Sequence, residues 1–118
     1  MKRLLPLLTL AAVAAGMVLA LPALAGKPKP KTVKVGDYFL SPSKLTVPEN
    51  TTIVWKWDAG NGDTHDVYLS KRPKGVKRFQ SELATTDYRF KAKLKVAATY
   101  TIICTLHPTD MRQKITVK

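Results

Sequence analysis

The sequence predicts an all-β fold, a Greek-key β-sandwich of about seven to eight short strands, and three observations predict it. From Thr32 onward, apolar residues recur with period two rather than 3.6. The runs are short and are bounded by turn-forming clusters such as Ser41-Pro42-Ser43, Pro48-Glu49-Asn50 and Ala59-Gly60-Asn61-Gly62-Asp63. No window carries a helical apolar stripe.

Taken in order, Val33 and Val35 alternate with Thr32 and Lys34, and Leu45 and Val47 with Lys44 and Thr46. Ile53, Trp55 and Trp57 alternate with Thr52, Val54 and Lys56, so both tryptophans share a face and are expected in the core. His65, Val67 and Leu69 have one parity. Phe90, Ala92, Leu94 and Val96 alternate with Arg89, Lys91, Lys93 and Lys95. Tyr100, Ile102 and Cys104 share a parity, as do Ile115 and Val117 in the final strand.

The first 25 residues are of another kind. Lys2 and Arg3 precede an uncharged apolar run that ends in Ala23-Leu24-Ala25. A charged start, an apolar middle and a small-residue A-x-A site are the pattern of a cleaved export signal. The same run is long enough to span a bilayer if it is not cleaved, and either way the folded part lies outside the cytoplasm. Residues 26–31 form a basic Pro/Lys linker, Lys27-Pro28-Lys29-Pro30-Lys31, whose composition favours an extended, self-repelling tether able to touch an anionic surface. The remaining domain is 32–118. Without the first 25 residues, 93 remain, carrying 18 Lys and Arg against 8 Asp and Glu, a net charge of +10. So short a chain excludes a multi-substrate enzyme and a polytopic membrane protein, and a single Cys excludes an internal disulfide.

The chemistry lies in the inventory of soft and imidazole side chains. Residues 26–118 contain one Cys (Cys104), two His (His65 and His107) and one Met (Met111). Three of the four crowd into Cys104-Thr105-Leu106-His107-Pro108-Thr109-Asp110-Met111. Two imidazoles, a thiolate and a weak axial thioether are the ligand set of a blue-copper electron-transfer site. Zinc also takes Cys and His but has little use for Met. Parity supports convergence, because His65 and Cys104 both fall on apolar strand faces.

Thr64-His65-Asp66-Val67, together with Thr99-Tyr100-Thr101-Ile102-Ile103-Cys104-Thr105-Leu106-His107-Pro108 through Met111, resembles the cupredoxins, with the plastocyanin and amicyanin types most similar. The resemblance extends from Thr32 to Lys118. It implies one type I copper ion held by His65, Cys104, His107 and Met111, the same two-sheet sandwich, and His107 on a surface loop as the electron's exit. Three departures stand out. His107 and Met111 are separated by three residues, Asp66 stands where Asn is frequent, and Ala97-Ala98 replaces a frequent Pro-Gly turn. Asp66 is expected to accept from the Thr105 backbone N–H or hydroxyl and to tie the two ligand-bearing segments together.

These readings converge on an exported, monomeric, non-enzymatic carrier of single electrons between redox partners. The alternative is an extracytoplasmic module for copper buffering or delivery, using the same ligands. The basic face Arg89, Lys91, Lys93, Lys95 and the cluster Lys71, Arg72, Lys74, Lys77, Arg78 suit an acidic docking partner. No nucleic-acid motif is present.

Overall fold

The computed structural model describes residues 26–118, so the proposed export signal lies outside the described residues. Eight strands follow one another: β1 Lys31–Gly36, β2 Phe39–Ser41, β3 Lys44–Val47, β4 Thr51–Trp57, β5 Tyr68–Lys71, β6 Arg89–Leu94, β7 Ala98–Ile103 and β8 Arg112–Val117. They form two four-stranded sheets, ordered β2-β1-β4-β6 and β3-β8-β7-β5. The all-β sandwich expected from periodicity is the fold observed. Among the described residues no helix is long and apolar enough to cross a membrane.

The topology combines two hairpin pairings, β1–β2 and β7–β8, with five crossings between the sheets. β1 and β2 make a hairpin over the two-residue turn Asp37-Tyr38, with Gly36 opposite Phe39. Gly36 leaves room for the Phe39 ring, which lies where a Cβ would stand 2.1 Å from it, so a larger residue there would push that half-exposed ring aside. The chain then passes through Ser41-Pro42-Ser43 to the other sheet, where β3 lies parallel to β8. It returns as β4, which lies parallel to β1 and antiparallel to β6. Parallel neighbours need such crossovers, whereas hairpin neighbours do not.

Alternation along the strands fills the space between the sheets. Val33, Val35, Ile53, Trp55, Trp57 and Leu94 from one sheet meet Val47, Leu69, Tyr100, Ile102, Ile115 and Val117 from the other, all buried. Both tryptophans are core residues, as their parity requires. Val96, expected on the inner face, lies beyond the end of β6 and is exposed.

One buried polar bridge ties the layers together. Gln113, on the inner face of β8, accepts at 3.0 Å from Trp55 Nε1 of the opposite sheet and donates at 2.7 Å to the Pro42 carbonyl in the crossing segment. A buried amide is tolerated only when its donors and acceptors are used. Gln113→Ala leaves the Trp55 indole N–H and the Pro42 carbonyl unpaired, and is expected to lower unfolding free energy by about 2 kcal/mol or more, read by urea denaturation.

Candidate metal centre

His65 lies just ahead of β5, and its position is fixed from both sides. The stretch 79–84 doubles back along it as a short edge. His65 N donates to the Ala84 carbonyl at 2.9 Å, Ala84 N to the His65 carbonyl at 3.0 Å, and Ser81 N to the Val67 carbonyl at 2.8 Å. From the opposite sheet, Trp57 Nε1 donates to the same His65 carbonyl at 3.1 Å. The side chain of His65 is 0% exposed, and so are Cys104 and Met111.

The other three candidates sit on the β7–β8 connection, which two backbone bonds close. Met111 N donates to the His107 carbonyl at 3.0 Å, and Cys104 N donates to the Met111 carbonyl at 3.1 Å. The loop therefore turns back on itself and brings His107 and Met111 beside Cys104. The ring centroids of His65 and His107 are 5.2 Å apart. All four residues singled out in the sequence thus meet at one end of the sandwich. Among the described residues, no three His, Cys, Asp or Glu side chains stand drawn up as a closed cage.

Asp66 performs the tethering expected of it. Its carboxylate accepts at 2.6 Å from the Thr105 backbone N–H, at 2.6 Å from the Thr105 hydroxyl, and at 3.0 Å from Gln80 Nε2. Burial pushes this carboxyl up, but the Thr105 and Gln80 hydrogen bonds outweigh it and hold the group below the usual carboxylate range. Burial likewise pushes the Cys104 thiol up, while backbone N–H groups of Asp66, Leu106 and His107 pull it back toward the thiolate.

Three residues of this end were not singled out by sequence. Asp37 Oδ1 lies 2.7 Å from His65 Nε2, and Asp63 Oδ2 lies 3.3 Å from His107 Nε2. Tyr38 sets its ring edge-on to both histidines, at centroid distances of 5.1 Å to His107 and 6.1 Å to His65, and donates its hydroxyl to Asp63 at 3.1 Å. Tyr38 is bulky yet has a φ of 66°, a conformation such residues rarely adopt. It partly covers His107, whose side chain is 22% exposed. The surface beside it is apolar, with Tyr38 52% and Leu106 50% exposed, whereas Leu40 is buried. The turn 37–38 and the segments 58–67 and 104–111, which build this end, contain Asp37, Asp58, Asp63, Asp66 and Asp110 and no Lys or Arg.

The unpartnered atoms decide what this end can hold. Among the described residues, the buried side-chain nitrogens and oxygens without a hydrogen-bond partner are His65 Nδ1 and His107 Nε2. Orphaned buried polar atoms are rare and call for a ligand, ion or water. Two imidazole nitrogens, a free buried thiol and a buried thioether fit a soft or borderline metal such as copper.

A family model described as copper binding proteins, plastocyanin/azurin family, matches residues 30–118. The chain belongs to this family. Its members bind one copper ion, and this cupredoxin shares their fold with several solved structures. A reduced Cu(I) form of an amicyanin mutant at pH 4 is 21% identical over 75% of this chain and 82% of that one, with a TM-score of 0.65. The purple cupredoxin from Nitrosopumilus maritimus is 23% identical over 75% of this chain and 99% of that one, with a TM-score of 0.62. The Cu-containing nitrite reductase from Thermus scotoductus SA-01 gives 23% identity and a TM-score of 0.64 over 75% of this chain, which spans only 22% of that larger protein. A comparison with curated proteins finds no match.

Asp66→Ala removes the tether between the segments that carry His65 and Cys104 and frees the Thr105 amide. Its hydrogen exchange in the metal-free protein is then expected to accelerate by about tenfold or more, the loss of charge-assisted bonds of at least ~1.5 kcal/mol. Unchanged protection would remove Asp66 from that role.

Proposed function

We propose that this cupredoxin carries single electrons between redox proteins outside the cytoplasm, with His65, Cys104, His107 and Met111 as its copper ligands. The observation that carries the assignment is the meeting of the buried free thiol of Cys104 with the two unpartnered imidazole nitrogens at one end of the sandwich. When bound, copper supplies a one-electron Cu(I)/Cu(II) couple. The chain's part is to hold its donors still. Cys104 and Met111 are fixed by the closed β7–β8 loop, His65 by its edge pairing, and a scaffold that moves little keeps reorganisation small on electron transfer. Four protein ligands leave no position for substrate, so the protein is read as a carrier and not an enzyme. Residues 1–25 support export, and the basic linker 26–31 suits contact with an anionic envelope surface.

The partner reading rests on charge. Register sets Lys34, Lys56 and Arg89 abreast across β1, β4 and β6, on the outer face of that sheet. Lys91 and Lys93 continue the strip along β6. Like charges placed directly opposite one another cost stability, and the strip suits an acidic docking surface on a redox partner, met by the protein as a monomer.

Cys104→Ser is expected to abolish the intense visible sulfur-to-copper band of the Cu(II) protein, whereas Met111→Leu should keep it and raise the reduction potential. A Cys104→Ser protein as blue as the parent would defeat the ligand assignment. Electron transfer to an acidic partner should slow as salt rises, because screening shortens to about 8 Å at physiological ionic strength. Charge reversal at Lys91 and Lys93 should lower the stopped-flow association rate more than it changes dissociation.

A further inference from the structure

The turn between β1 and β2 puts a carboxylate against the back of a histidine. Asp37 uses both its oxygens. Oδ2 accepts from Gly62 N at 2.8 Å, and Oδ1 accepts from Asp63 N at 3.2 Å while facing His65 Nε2 at 2.7 Å. A carboxyl group that already receives two backbone N–H bonds is held as the carboxylate, and a carboxylate only accepts. The third contact therefore requires a proton on His65 Nε2. In a neutral imidazole the other nitrogen then carries the lone pair. That nitrogen is His65 Nδ1, which is buried and has no partner.

The placement of Asp37 is itself built in. It occupies the first position of a two-residue turn whose second residue, Tyr38, has a φ of 66°. The bare backbone of Gly36 lets the Phe39 ring lie across the turn. The Asp37 bonds to Gly62 and Asp63 also fasten this turn to the segment that carries His65. The side chain of Asp37 is 33% exposed, so its charge is only partly screened from the centre.

The geometry points to Asp37 as a positioning residue that fixes His65 with Nδ1 free before copper arrives and, once copper is bound, holds the reduction potential down. A carboxylate behind a metal-bound imidazole makes it a stronger donor. It also places a negative charge near the metal, and both effects favour Cu(II) over Cu(I). The inference rests on the proposed copper site, and its test separates the two.

The first measurement needs no variant. In nitrogen-15 NMR of the metal-free protein, His65 is expected as the Nε2–H tautomer with a slowly exchanging ring proton. A proton found on Nδ1 overturns the proposal. In the copper protein, Asp37→Asn should raise the reduction potential by about 59 mV, a tenfold shift in relative Cu(II) over Cu(I) affinity. Asp37→Glu, which keeps the charge, should return most of that shift. A residue that merely held the turn would disturb both variants alike and leave the potential tied to fold stability. Blue variants with an unmoved potential overturn the role of Asp37 and leave the copper site standing. A parent protein that never turns blue defeats the copper site itself.

Discussion

The grip of the Asp66 carboxylate on Thr105 is the interaction that joins the two segments of the candidate metal centre. His65 and Cys104 arrive on segments 39 positions apart in the chain, and the two bonds from Thr105 to Asp66 join their immediate neighbours. Without that join, each histidine would follow its own loop. With it, the sandwich core below and the closed loop above act on a single object. The indole of Trp57 extends the grip to the other sheet by holding the His65 carbonyl. This end of the sandwich is thus anchored in both layers, without a disulfide.

Much of this was legible in the sequence, for reasons that differ from residue to residue. Cys104, His107 and Met111 stood out because soft and imidazole side chains are scarce and were crowded into one loop. His65 was joined to them by strand parity, which correctly aimed it inward. The Asp66 tether was also foreseen. Asp37, Tyr38 and Asp63 were not, because aspartate and tyrosine in polar turns carry no periodic signal. Their partners lie 25 to 28 residues away, and only the folded chain brings them together. The stretch 79–84 went unread for a related reason, since it pairs with 65–69 through isolated bridges too short to impose alternation. Leu40 is buried, because the β1–β2 hairpin turns its side chain inward and leaves Tyr38 and Phe39 outside.

The buried polar groups divide by what they do. Gln113 pairs both its amide oxygen and its amide nitrogen and links the two sheets. The imidazoles of His65 and His107 each leave a nitrogen without a partner. In a domain with little stability to spare, an unsatisfied buried atom is a cost carried for a purpose. The contrast marks where folding ends and metal chemistry begins.

The segregation of charge at the copper end has a mechanical consequence. The turn 37–38 and the segments 58–67 and 104–111 carry five aspartates, against which Arg112, donating to the Pro108 carbonyl, and Lys34, beside Asp58, set two basic groups, while the molecule as a whole is strongly cationic. A body whose charge is unevenly spread has an electric dipole, and an external field exerts a torque on it as well as a pull. Beside a negatively charged surface such a torque favours turning basic residues toward that surface. Collisions are then biased before contact. On the proposed reading, an acidic partner would be steered toward the basic strip of β6 rather than toward the aspartates beside His107.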